Sequence, residues 1–174
     1  MTRTSLSLVA LGLFSVGCGA PDATAPTADN RQVTPQFASG SRVVHRASVG
    51  SHDFVPPGVD ANFSLIALLR ADGTATGQYN DQFGHGNGGI HVEVDCLAVS
   101  GNRAWIGGVA TGDENFEGQR VLTEVVDNGT SANDPPDEIS FSVANPAQFG
   151  LDPDCRLRPQ LPLFPLQDGQ VRVE

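Results

Sequence analysis

Ile90-His91-Val92-Glu93-Val94-Asp95-Cys96-Leu97-Ala98-Val99-Ser100-Gly101-Asn102-Arg103-Ala104-Trp105-Ile106-Gly107-Gly108-Val109-Ala110-Thr111 is the stretch that decides the fold. Its first ten residues place Ile90, Val92, Val94, Cys96 and Ala98 in alternation with His91, Glu93, Asp95, Leu97 and Val99. Successive side chains leave a pleated backbone on opposite sides, so a period of two marks a strand with one face against a core. Ser100-Gly101-Asn102 turns the chain, and residues 104–111 return as the partner strand. Gly107-Gly108 inside that return points to a bulge or a sharp bend, because glycine brings no side chain and admits a close neighbour.

The same vocabulary extends in both directions. Residues 42–49 form a first candidate strand, and residues 62–70 a second with Phe63, Leu65, Ala67 and Leu69 on one face. Ala71-Asp72-Gly73-Thr74 suits a hairpin turn, since Asp-Gly tolerates positive φ, and residues 74–80 come back as the third strand. Downstream, residues 119–126 and 138–144 flank the loop 127–137, and residues 170–174 end the chain as a short strand. Leu161-Pro162-Leu163-Phe164-Pro165-Leu166 is too rich in proline for a central strand. No helical period persists. About eight short strands joined by tight turns predict an all-β domain, a small antiparallel barrel or barrel-like meander, with a two-sheet sandwich as the alternative.

Val99, Gly101, Asn102, Ala104, Ile106 and Gly108, with the later Asp127-Asn128-Gly129 and Asp137-Glu138-Ile139-Ser140-Phe141, resemble a β-module of secreted bacterial proteins. The resemblance implies a fold and no activity. At the other end of the chain, Arg3 precedes an apolar run over residues 6–16 that closes on Gly17-Cys18. The run has the length of a signal-peptide core and falls short of the ~20 apolar residues of a spanning helix. Residues 13–19 resemble the bacterial lipobox, with Ser15 where leucine is commonest. The resemblance implies cleavage before Cys18 and lipidation of its sulfur and amino group; a secretory signal cut near Ala20 is the alternative. The expected organisation is a signal peptide over 1–17, a lipid-anchored tether over 18–40 and a β-domain over 41–174. The tether is rich in Ala, Pro, Thr and Asp, with little to bury. The expected location is the cell envelope, outside the cytoplasm, with the membrane as a partner through the lipid.

The chain carries ten arginines, no lysine and twenty acidic residues, a net charge of −10. Loss of Arg3 with the signal would make it −11, nine arginines against the same twenty acids. Such a surface is repelled by phosphate backbones, which argues against nucleic acid as a partner. With Cys18 lipidated, Cys96 and Cys155 remain as an even pair in an oxidising compartment, and a disulfide is expected.

Two clusters have the chemistry of metal ligands. His85, His91 and Glu93 surround the glycine-rich loop 84–89, and residues i and i+2 on a strand share a face, so His91 and Glu93 could reach one ion. A solvated strand face beside a glycine loop explains the same residues. Asp127, Asn128, Asp134 and Asp137 crowd oxygen ligands as calcium prefers, although the spacing is not that of an EF-hand and these are ordinary turn residues. His52-Asp53 lacks a serine on a nucleophile elbow, and Trp105 reads as core. No cofactor is expected. The sequence therefore points to a non-enzymatic module that binds an envelope protein or a small molecule. The alternatives are a metal-dependent envelope enzyme using the histidine cluster, with His45 or His52, and a barrel that carries a small apolar ligand.

Overall fold

The computed structural model describes residues 40–52, 62–82, 89–112, 114–131 and 133–174. The signal segment, Cys18, the tether up to residue 39, Asp53 and His85 lie outside the described residues.

Among the described residues, ten strands form one antiparallel sheet that curls into a half-barrel. They are β1 (Val43–His52), β2 (Asn62–Arg70), β3 (Ala75–Gln82), β4 (Gly89–Ser100), β5 (Arg103–Thr111), β6 (Arg120–Val126), β7 (Glu138–Ser140), β8 (Val143–Ala144), β9 (Leu163–Pro165) and β10 (Asp168–Val173). The spatial order is β10-β1-β2-β3-β4-β5-β6-β7-β9, and β8 joins the lower half of β6. One continuous sheet replaces the two-sheet alternative. The count exceeds eight for two local reasons. The expected strand over 138–144 breaks at Phe141-Ser142, and Leu163–Pro165 pairs as the edge strand that its prolines permit.

The core lies inside the curl. Ala47 and Val49 of β1, Phe63, Leu65 and Ala67 of β2, Val92 and Val94 of β4, and Ile106 of β5 all bury there. A second, smaller cluster lies on the outer face: Cys96, Ala98, Trp105, Leu122, Cys155 and Leu161. The two clusters correct the expected face of β4. Ladder register shifts between Val94, opposite Gly108, and Cys96, opposite Gly107, so Asp95 is an extra residue. A one-residue bulge exchanges the faces beyond it. Ile90, Val92 and Val94 therefore point inward while Cys96 and Ala98 point outward, and Leu97 takes the inward place. Gly108 makes the bulge possible, because a Cβ there would overlap the Glu93 carbonyl oxygen and Val92 Cγ1.

The outer cluster is covered by residues 145–162, which contain two single-turn 3-10 helices, Pro146–Phe149 and Cys155–Leu157. Several contacts pin this strap to the sheet. Cys96 and Cys155 form a disulfide with Cα atoms 6.1 Å apart. The buried Glu124 accepts from the Leu161 amide at 3.2 Å and pairs with Arg103 at 2.9 Å. Trp105 donates its indole N–H to the Pro159 carbonyl at 3.0 Å. Trp105 is core, as its position between strand residues predicts, and the core it belongs to is the outer one.

Candidate functional site

A groove of about 610 Å³ opens where the strap meets the sheet. Phe116 and Gln119 form one wall, residues 141–144 the floor, and Gln148, Phe149, Leu151, Gln160 and Pro162 the strap side. The volume is that of pockets that take drug-sized ligands. Among the described residues, no lining side chain is charged, although the chain carries thirty formal charges in all. Phe149 is 69% exposed and Phe141 45%, so large apolar surface faces water here. Isolated apolar residues on a surface are ordinary; several meeting in one concavity mark a place for a partner.

The groove exists because two strands part. The ladder of β7 and β9 ends with Ser140 opposite Leu163. Beyond that pair the incoming chain is drawn to the outer face by the Glu124 bond to Leu161, while residues 141–144 stay beside β6. The Phe141 ring remains near Phe164, with centroids 4.6 Å apart and edge to face.

Ser142 ties the groove floor to a buried polar cluster. Its hydroxyl donates to Asp81 Oδ2 at 2.6 Å and lies 2.5 Å from the Tyr79 hydroxyl, which also donates to Asp81 Oδ2 at 3.2 Å. Asp81 is only 7% exposed. Burial raises its pKa, and the bonds from Ser142 and Tyr79 oppose the rise without cancelling it. Burial also pushes the Tyr79 hydroxyl well above its ordinary value, and the nearby Asp81 charge adds to this. Thr123 and Ser140 continue the polar patch, their hydroxyls 3.1 Å apart. Ser142 holds its place through Asp81, so the cluster positions the groove floor.

The sequence reasoning missed this site. The strand expected over 74–80 ends one residue short of Asp81, and the strand expected over 138–144 runs unbroken through Ser142. Tyr79, the only tyrosine, and Asp81 two residues on, sharing a face with Ala75, were the available signal.

Of the three candidate metal ligands around the glycine loop, His85 lies outside the described residues. His91 and Glu93 share the outer face of β4, and the His91 Nδ1 meets Asn80 Oδ1 of β3. His52 ends β1, and His45 Nδ1 lies 3.3 Å from the Glu174 carbonyl oxygen. Among the described residues, one group of three metal-capable side chains has its ligand atoms within 4.8 Å of one another, namely Cys96, Asp154 and Cys155. Two of those three are spent in the disulfide.

The loop oxygens serve the backbone. Asp127 Oδ1 accepts from the Gly129 amide at 3.1 Å and its Oδ2 from the Val173 amide at 3.0 Å. Asp137, buried, accepts from the Asn128 amide at 2.7 Å and from the Val171 amide at 2.7 Å. Asn128 donates to the Pro136 carbonyl, and Asp134 accepts from the Ser131 amide. These bonds close an edge. Arg46 and Glu174 exchange amide bonds across β1 and β10, so by alternation the amides of Val171 and Val173 point away from β1. The two carboxylates meet them where a further strand would.

No protein-family model matches the chain, and neither does any curated protein or solved structure. The functional reading therefore rests on the groove and its surroundings.

Proposed function

We propose that the chain is an envelope-tethered binding module, without catalysis of its own, that receives an apolar partner in the groove beside Phe149. The observation that carries this reading is the uncharged, aromatic-lined concavity in an otherwise acidic chain. Desolvating such a surface costs little, and burying apolar area contributes about 25 cal/mol per Å². The side chains of Phe63, Leu65, Tyr79, Val92 and Ile106 occupy the inside of the curl, which favours the outer groove over the interior as the place for a ligand. The lipobox resemblance at Cys18 supplies the tether in this reading.

Two experiments test it. The neutral dye Nile red should bind the purified protein with a fluorescence rise that Phe149→Ser largely removes. An undiminished rise in that variant would place binding elsewhere. For the anchor, Cys18→Ser should release the protein from the membrane fraction, and retention with normal processing would refute a lipid at Cys18.

A further inference from the structure

Among the described residues, strand β8 has a hydrogen-bonding edge with no strand against it. Val121 lies opposite Ala144 and Leu122 opposite Val143, and the Asn145 amide donates to the Arg120 carbonyl at 2.7 Å. Paired and unpaired residues alternate in an antiparallel ladder. Val143 therefore exchanges bonds with Leu122, while the N–H and C=O of Ser142 and Ala144 point away from β6. Among the described residues these four backbone groups have no backbone partner. Continuing the β7–β9 register would have set residues 160–162 against 141–143. The strap leaves instead, and the gap it opens is the groove.

The side chains along this edge are arranged for a strand-shaped guest. Ser142 turns inward to Asp81 and Ala144 packs inward on the main core, whereas Val143 packs outward on the second cluster. The edge thus offers backbone groups, with apolar walls on both sides: Phe116 toward the main core, Phe149 and Leu151 toward the strap. Charge narrows the guest further. The groove itself is neutral, and its rim is acidic: exposed Glu114 and Glu117 flank Phe116, and exposed Asp152 follows Leu151. Arg120 and Arg156 are already paired with Asp95 and Asp154.

We infer that β8 accepts an extended segment of a partner protein as an added strand, uncharged and apolar within the groove and basic at its flanks. This rests on the binding-module reading and adds the class of partner. Main-chain bonds to Ser142 and Ala144 hold the guest, and alternate side chains enter the apolar walls, which is how strand addition divides affinity from specificity. At the strand rise of about 3.3 Å per residue, the three edge residues 142–144 span about 10 Å, so a guest of about five residues overlaps them with a margin at each end.

The test uses the full chain and a fluorescein-labelled peptide, Arg-Val-Thr-Val-Thr-Val-Arg, followed by polarisation. Two further peptides carry N-methyl groups on one or the other alternate set of amides, and a third replaces both arginines by aspartate. The parent peptide should bind. One N-methylated set should lose about tenfold or more in affinity while the other keeps it, because only one set faces β8. The aspartate peptide should bind more weakly, by a margin that shrinks with added salt. Ala144→Pro, which deletes a donor outside the β6 ladder, should weaken the parent peptide; the peptide comparison decides the matter even if that variant does not fold. Failure of the parent peptide to bind, or equal binding by both N-methylated sets, overturns strand addition. If Nile red still binds in a Phe149-dependent way, the binding-module reading survives that failure; if neither probe binds, both fall together.

Discussion

Two edges of the sheet meet the same physical demand in opposite ways. An unpaired strand edge is a template for other chains, so folded proteins cover, charge or shorten it. On β10, the outward amides of Val171 and Val173 are taken by Asp137 and Asp127 of the same chain. On β8, the outward backbone groups of Ser142 and Ala144 border the apolar groove and have no backbone partner among the described residues. The first edge is closed by side chains that are acceptors only, so no further strand can add there without displacing them. The second is short, walled and open. In the proposed reading, the first edge keeps the molecule alone and the second is where a partner joins it.

The comparison can be broken most forcefully at the strap. Replacing Cys96 and Cys155 by serine should cost about 4 kcal/mol in the chain-entropy model for a separation of 59 residues. Because the strap forms one side of the groove, the same variant should lose Nile red binding under conditions where it is still folded by circular dichroism. Retained binding in a folded variant would show that the strap is not needed for the site.

At the closed edge, Asp137→Ala orphans two buried or half-buried amides and should cost about 3 kcal/mol in urea unfolding. It should also raise amide exchange at Val171 selectively. Asp127→Ala, on the more exposed side of the loop, should cost about half as much. A chelator should leave the melting midpoint of the native protein unmoved, since these carboxylates already have amide donors; a clear fall would return calcium to the loop.

A smaller effect sits beneath the open edge. Burial raises the Asp81 pKa above its ordinary 3.8, so the folded protein holds that proton where the unfolded chain has released it. Stability contributed by the neutral form is complete below about 3.8 and declines as pH climbs through the raised value. Asp81→Asn should remove that part of the pH dependence, so that stabilities from urea titrations between pH 3 and 8 vary less with pH. An unchanged pH profile would mean that Asp81 is not a buried titrating group. The smallest stability effect is expected at Phe149, whose ring is mostly exposed: Phe149→Ser should shift the midpoint by about 0.5 kcal/mol or less while removing dye binding.

Local pattern made the strands legible and left the site hidden. The alternation from Ile90 to Val94 and the turn at Asp72-Gly73 predicted real elements because strand period and turn chemistry are local properties. Gly107-Gly108 marked a bulge, but that the extra residue would be Asp95 on the facing strand, reversing Cys96 and Ala98, was not legible, because it depends on how the two strands meet across the ladder. Likewise, Ser142 breaks its strand to reach Asp81, 61 residues away. Asp127 and Asp137 read as turn residues or calcium ligands because their partners, Val173 and Val171, lie 46 and 34 residues on. The pairing of Cys96 with Cys155 could be anticipated from parity. That it would hold one wall of a groove could not, since the walls come from three separate segments.

In the proposed reading the binding surface lies outside the curl, on the open edge, and backbone amide mapping by NMR tests that claim most directly. Titrating the labelled full chain with Nile red should perturb amides at residues 116–119, 141–151 and 160–162 and leave Phe63, Leu65, Val92 and Ile106 unmoved. Perturbations concentrated on those interior residues, with the groove silent, would contradict the account and make the domain a barrel that carries its ligand within.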